Sequence, residues 1–397
     1  MNSELTGIIF IYALTVLLAI PFGKYIAKVY KGDKTLFDFM APLEKFIFRI
    51  SGIDATRQMN WKQHLVALLS INMIWFVWAM FALMNQSWMP LNPDGNPSMS
   101  PHLAFNTAIS FITNTNLQHY SGESGVTYFT QLAVVLFFQF VSAATGMAAL
   151  VVLFKAFAEK TTQALGNFFN YLLLSCTRIL LPLSIILAII LAFNGTPASF
   201  KGKDTFISVQ GDTVHVSRGP AAGMIGIKQF GTNGGGWFGV NSAHPLENPD
   251  YFTNIFETLA IIFIPIAMVF ALGYFINRRR LSWVIFGVMT AGFLLLLIPT
   301  VYYEMQGNPE ITKMGIDQSL GSMEGKEIRF GSAASALWGI CATVTSNGSV
   351  NSMHDSLTPL SGMFPMVAMM INGFYGGVGV GFTNYFIFLV ITVFIAG

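Results

Sequence analysis

The sequence predicts an all-α polytopic membrane protein assembled from repeated membrane-pore-membrane units with re-entrant half-helices. Three observations predict it. Only 10% of the 397 residues are charged while 53% are hydrophobic, against about 25% charged in an ordinary soluble domain. Six apolar stretches, near 7–23, 64–84, 128–154, 168–193, 252–276 and 282–303, approach or exceed the roughly 20 residues a helix needs to cross a bilayer core. Lysine and arginine gather in alternate connecting loops, the pattern that orients membrane helices. The mean hydropathy is +0.59. A net charge of +2 with no long basic stripe excludes a nucleic-acid partner. The partner that composition demands is the lipid bilayer.

The elements follow in order. The opening Met1-Asn2-Ser3-Glu4 lacks the basic region of a signal peptide, so the first apolar stretch is expected to be retained as a span. Loop 24–62 carries Lys24, Lys28, Lys31, Lys34, Lys45, Arg49, Arg57 and Lys62. Loop 155–167 carries Lys155 and Lys160, and the turn at 277–281 carries Arg278, Arg279 and Arg280. These three read as cytoplasmic. Loop 85–127 has neither Lys nor Arg and reads as external, which places the N-terminus outside. The external loops 85–127, 194–251 and 304–359 each hold a short apolar piece, at 101–112, 220–230 and 331–344. These pieces are too short to span and suit half-helices lining a protein-enclosed cavity. Segment 198–219 alternates in polarity and predicts a β-hairpin with Gly211-Asp212 near its turn.

Residues 360–397 contain no charge. One straight helix of that length would measure about 57 Å, nearly twice a bilayer core of about 30 Å. A break is therefore expected at Gly376-Gly377-Val378-Gly379-Val380-Gly381, where glycine permits the required backbone angles. The stretch ends at Gly397 inside an apolar run, which predicts a chain cut short within its last helix.

Each half-helix leads into a small polar cluster: Thr113-Asn114-Thr115-Asn116, Thr232-Asn233-Gly234-Gly235 and Thr345-Ser346-Asn347-Gly348. A histidine and an acid follow each one: His119 and Glu123, His244 and Glu247, His354 and Asp355. The organisation reads as a first span and cytoplasmic loop, 1–62, then pore repeats 63–160, 161–280 and 281–397. Small neutral residues let backbone carbonyls face an axis, and rings of carbonyls replace the hydration shell of a monovalent cation. A half-helix ending at the cluster adds the negative end of its dipole. The acids Glu123, Glu247 and Asp355 are expected to make the external vestibule attractive to cations. The histidines come from separate repeats, so structural hydrogen bonding is expected of them rather than a shared metal.

Other features point less far. Gly377-x-Gly379-x-Gly381 lacks the spacing and the βαβ setting of a nucleotide loop. Arg178 and Glu257 are ionisable residues within apolar segments and so candidates for function. Arg178 could equally snorkel to the inner interface. Glu257, about one turn inside the outer end of its span, fits an interfacial role. Cys176 and Cys341 read as buried small apolar residues.

At Thr113-Asn-Thr-Asn-Leu-Gln118, Tyr120-Ser-Gly-Glu123, Met353-His-Asp-Ser356, Gly376-Gly-Val-Gly379 and above all Gly231-Thr-Asn-Gly-Gly-Gly-Trp-Phe-Gly-Val-Asn-Ser-Ala-His-Pro-Leu-Glu-Asn248, the chain resembles a known family. It is similar to the potassium-binding A subunits (KdpA) of bacterial Kdp potassium-transporting ATPases. The resemblance implies a potassium-channel-like fold of four pore repeats, of which three filter segments are present here. It implies potassium selection at residues 113–116, 232–235 and 345–348, where many members have cysteine at the position of Asn347. It implies ion passage to a P-type ATPase subunit that hydrolyses ATP through a phosphorylated aspartate, with a small single-span subunit completing the complex. This chain would then bind no nucleotide itself and would sit in the bacterial cytoplasmic membrane. The glycines Gly376, Gly377, Gly379 and Gly381 fall where the family's broken helix blocks the cytoplasmic exit. With three filter segments, this chain alone is expected to select potassium weakly or not at all. The alternative is a stand-alone potassium channel or symporter with the same pore plan. A membrane enzyme would need a catalytic constellation, and the acids here sit singly.

Overall fold

The computed structural model describes residues 3–159 and 163–397. Lys160, counted above among the basic loop residues, lies outside them, as do Met1 and Asn2. Six helices among the described residues are long and apolar enough to cross a membrane: Ser3–Lys31, Trp61–Trp88, Tyr128–Ala158, Phe168–Phe193, Tyr251–Phe275 and Arg279–Lys313, the last with its continuous helix ending at Gln306. The chain is a multi-pass membrane protein. Side chains set the starts of these helices. Asn60 and Gln63 form a reciprocal capping box at the second span, and Asp250 and Thr253 do the same at the fifth. Asn167 caps the fourth by accepting from the Asn170 amide. Each cap supplies a partner for amides that a helix start leaves unpaired.

The fifth span is the central helix. In its most apolar window 89% of residues are buried inside the protein, against 22% for the first and second spans. The first span packs along it at Gly23, where an added Cβ would lie 2.6 Å from the Ala267 carbonyl. Small residues permit such close helix contact where lipid gives no hydrophobic drive. The third and fourth spans each contain a π-helical stretch, Gln131–Leu136 and Ser175–Leu180.

Arg178 lies in the second of these stretches. Its Nε and Nη2 donate to the two oxygens of Glu44 at 2.7 and 2.6 Å, and Nη1 donates to Asp38 at 2.7 Å. This bidentate pair fastens the short helix Ala41–Ser51 of the basic loop to the fourth span. Leu43, Phe46 and Ile50 of that helix face outward, as in a helix lying along a membrane surface. The role of Arg178 is thus structural.

The half-helices are Pro101–Ile112, Ala221–Phe230 and Gly331–Val344, within a residue of the expected pieces. The hairpin forms as expected, with Asp204–Ile207 antiparallel to Thr213–Val216 and Asp204 opposite Val216. The last apolar stretch breaks into Pro359–Ile371 and Val380–Ala396. The break runs over 372–379 and begins at Asn372 in a left-handed conformation. Gly381 lies in the first turn of the second helix, and its amide reaches back to the Gly376 carbonyl of the break at 2.5 Å. Cys176 and Cys341 are free thiols, half-buried and buried.

Candidate functional site

The three half-helices end in the same way. The amide of Thr115 donates to the Ser110 carbonyl at 2.9 Å, that of Asn233 to Lys228 at 3.0 Å and that of Asn347 to Ala342 at 2.8 Å. Preceding each of these is a residue in the left-handed region: Asn114 (φ 59°), Thr232 (φ 48°) and Ser346 (φ 55°). A left-handed residue closing a helix C-terminus turns the chain and satisfies its last carbonyls. The backbone thereby corrects the register read from the sequence. Gly231, not Thr232, is the counterpart of Thr113 and Thr345, because threonine identity does not fix where the helix ends.

The turns converge on one another. Asn116 Nδ2 donates to Asn233 Oδ1 at 3.3 Å, and the Gly348 backbone N–H donates to the Asn233 carbonyl at 2.9 Å. Asn114 Nδ2 reaches the Gly231 carbonyl at 3.2 Å, and Ser142 of the third span donates to Asn114 Oδ1 and Asn233 Oδ1 at 2.8 and 3.2 Å. Gly234 (φ 103°) is so close to the third turn that a Cβ would fall on the backbone of Gly348 and Ser349. Gly235 lies against the Phe111 ring, and a Cβ on Gly348 would lie 2.8 Å from the Asn116 carbonyl. Asn116, Thr232, Asn233, Thr345 and Asn347 are buried, whereas Thr113 and Thr115 remain exposed.

The break in the last stretch closes on the same place. The Val378 amide donates to Thr232 Oγ1 at 3.2 Å, and Ser346 Oγ donates to Asn372 Oδ1 at 2.8 Å. A Cβ on Gly377 would lie 2.7 Å from the Thr345 carbonyl, and Gly379 (φ 146°) abuts the Gly146 carbonyl. Asn114, Asn116, Thr232, Asn233, Gly234, Thr345, Ser346 and Gly348, with Gly377 and Val378, thus meet in one region built of neutral oxygen and amide groups, while among the described residues Thr113 and Thr115 bond only to each other and to their own half-helix. Carbonyl and hydroxyl oxygens without carboxylates suit a monovalent cation better than a divalent one, which takes carboxylate ligands.

The family described as Potassium-transporting ATPase A subunit (KdpA) matches residues 9–397. A potassium-transporting ATPase potassium-binding subunit of Flavobacterium johnsoniae is 63% identical, across all of this chain and 69% of its own length. The subunit of that name from Bacteroides thetaiotaomicron is 57% identical, across all of this chain and 70% of its own. The one from Pseudomonas aeruginosa is 44% identical, across all of this chain and 71% of its own. The chain belongs to the KdpA family.

Two acids of this KdpA-family chain, one expected in the vestibule and one at the membrane interface, sit elsewhere than predicted. Glu247 is not an open acid: it is fully buried and ion-paired with Lys228, because segment 236–250 folds back over the second half-helix. Glu257 is not interfacial. It too is fully buried, and its Oε2 accepts from Gln229 at 2.7 Å and Ser242 at 3.0 Å. Glu123 is half-buried and accepts from the Gly239 amide at 2.8 Å, and burial raises its carboxyl above the usual range. Asp355 is exposed.

The histidines do not meet, and no group of three His, Cys, Asp or Glu among the described residues is placed to hold a metal. His119 is exposed. His244 stacks on Phe238 at 3.8 Å and accepts from the Leu246 amide at 3.1 Å. His354 departs from the expected hydrogen bonding: its Nε2 is shielded with no partner. Burial and then the charge of Lys326 push its imidazole down to about 4. A histidine held neutral in the fold binds more protons unfolded, so its stabilising contribution is complete above its ordinary value of 6.5 and is lost as pH falls toward 4. Melting of the solubilised protein is expected to drop between pH 7 and 5 more steeply for wild type than for His354→Gln. Equal slopes would refute this.

Lys228, Gln118 and Asn241 escaped the sequence reading. Gln118 accepts from the Gly236 amide at 2.7 Å and donates to the Phe238 carbonyl at 3.2 Å. Lys228 carried a usable signal, a lone charge inside an apolar half-helix. Gln118 and Asn241 stood inside the resembling stretches but were given no role, since their roles depend on which loops meet.

Proposed function

We propose that this chain is the potassium-binding and translocating subunit of an ATP-driven potassium importer. The observation that carries it is the convergence of three half-helix ends into left-handed, cross-bonded turns of neutral residues. In this reading the carbonyls of the three turns, within 113–116, 231–235 and 345–348, strip and hold a potassium ion, and the negative ends of the half-helices stabilise it. The units 63–160, 161–280 and 281–397 are its pore repeats, following the first span and basic loop of 1–62. The basic loops lie in the cytoplasm and the N-terminus outside, in a bacterial cytoplasmic membrane. ATP hydrolysis belongs to a P-type ATPase partner, and a small single-span subunit completes the complex. The chain itself binds no nucleotide.

The test is ATP hydrolysis by the assembled complex, purified with its partner subunits, titrated with potassium and with sodium. Stimulation by potassium at far lower concentration than by sodium is the expected result. Equal stimulation by both ions, or ATP turnover independent of either, would overturn the reading.

The segment 372–379 acts here as the gate beneath the filter. Its Tyr375 (φ 64°) is latched by hydroxyl bonds of 2.6 Å to both Tyr12 of the first span and Thr290 of the sixth. Each such bond contributes about 1 kcal/mol. Tyr375→Phe removes both while keeping the ring, and is expected to raise rubidium leak through the complex without ATP severalfold. An unchanged leak would show that this latch does not hold the gate.

A further inference from the structure

Lys228 is a fully buried ammonium in the last turn of the second half-helix. The other half-helices carry Ser110 and Ala342 at the same position of the turn, so the charge is peculiar to this repeat. An ammonium has three donors and no acceptor. All three are used: Nζ donates to Asn241 Oδ1 and Ser242 Oγ, each at 2.7 Å, and to Glu247 Oε1. Because the ammonium cannot accept, Asn241 must turn its oxygen toward it. That fixes the opposite face of the amide, and Asn241 Nδ2 donates to the Gly234 carbonyl at 2.6 Å. The same Oδ1 accepts from Ser349 Oγ at 3.2 Å and the Val350 amide at 3.3 Å, just past the third turn. Gln229 adds a second strut, donating to Ser349 Oγ at 3.0 Å.

We propose that Lys228 is a positioning residue for potassium selection: neutralised by Glu247, it orients the Asn241 amide that holds the Gly234 carbonyl and ties the second filter turn to the third. This rests on the filter reading above. Selectivity depends on the number and field strength of coordinating carbonyl dipoles, so a carbonyl free to rotate discriminates less. A buried lysine beside a cation site would repel the ion if unpaired, and Glu247 removes that repulsion.

The test uses the full complex and reads potassium-stimulated ATP hydrolysis and its rubidium-to-potassium ratio. Losing an ordered charged hydrogen-bond network at one carbonyl predicts a rise of about tenfold in half-saturating potassium for Lys228→Met, with a rubidium ratio closer to one. The double variant Lys228→Met/Glu247→Gln removes both members of the ion pair together, which protects its folding, and is expected to show the same shift. A merely structural role would lower the amount of assembled complex and leave both readouts as in wild type, which would overturn the proposal. Failure of the double variant to assemble would overturn it as well, since the pair would then serve folding. Gly234→Ala separates the two readings. If it also leaves potassium dependence untouched, the filter reading falls; if it alone shifts it, only the role of Lys228 falls.

Discussion

Replacing Gly234 by alanine is expected to raise the half-saturating potassium concentration of the complex by about 10- to 100-fold, the equivalent of about 1–3 kcal/mol of backbone strain. Two effects act together. At φ 103° an alanine is strained wherever it sits. In addition, its Cβ would coincide with the backbone of Gly348 and Ser349, which cannot step aside as a flexible side chain could. The turns must then separate, and the Gly348 N–H bond to the Asn233 carbonyl is lost. Gly195 is the matched control. It has φ 102° with open space around its Cβ position, so Gly195→Ala carries the strain without the collision. Titration of ATP hydrolysis with potassium should separate the two variants. Identical curves would remove Gly234 from the filter.

Lys326→Met is expected to cost about 3–5 kcal/mol of stability, because it strips the partner from a buried charge. Lys326 Nζ lies 2.7 Å from Glu304 Oε2, and both side chains are fully shielded. The other Glu304 oxygen accepts from the Thr358 amide at 2.8 Å, from its hydroxyl at 2.9 Å and from Ser361. One carboxylate therefore joins the end of the sixth span, the loop carrying Lys326 and the start of the broken helix. Lys326→Met should give a large fall in melting temperature and in membrane-assembled protein. Lys326→Met/Glu304→Gln should recover much of it, since no unpaired charge remains and the amide oxygen still accepts. A double variant as unstable as the single one would show that packing of the lysine, not charge pairing, holds the junction.

Both predictions concern contacts between distant parts of the chain, and there the reading of the sequence ran out. The half-helices were legible to within a residue because length and apolarity decide them locally. So was the need for a break in 360–397, which follows from bilayer thickness alone. The register of the second turn was not: Thr232 resembled Thr113 and Thr345 in type, but the end of its half-helix, set by the bond from Asn233 N to the Lys228 carbonyl, assigns that place to Gly231. Glu247 and Glu257 looked like an open acid and an interfacial acid. They became buried partners because segment 236–250 returns over the second half-helix, a path that no local pattern encodes.

The sequence by itself determined that this protein spans a membrane several times, that three apolar helices are too short to cross it, and that small neutral residues stand at their tips. Those features follow from hydropathy, element length and residue size, each read within a window of about 20 residues. Only the tertiary structure decided which tips touch, which charges are buried and what fixes each carbonyl. A buried ammonium such as Lys228 is tolerable only where acceptors from several segments surround it, and their assembly is a property of the whole fold.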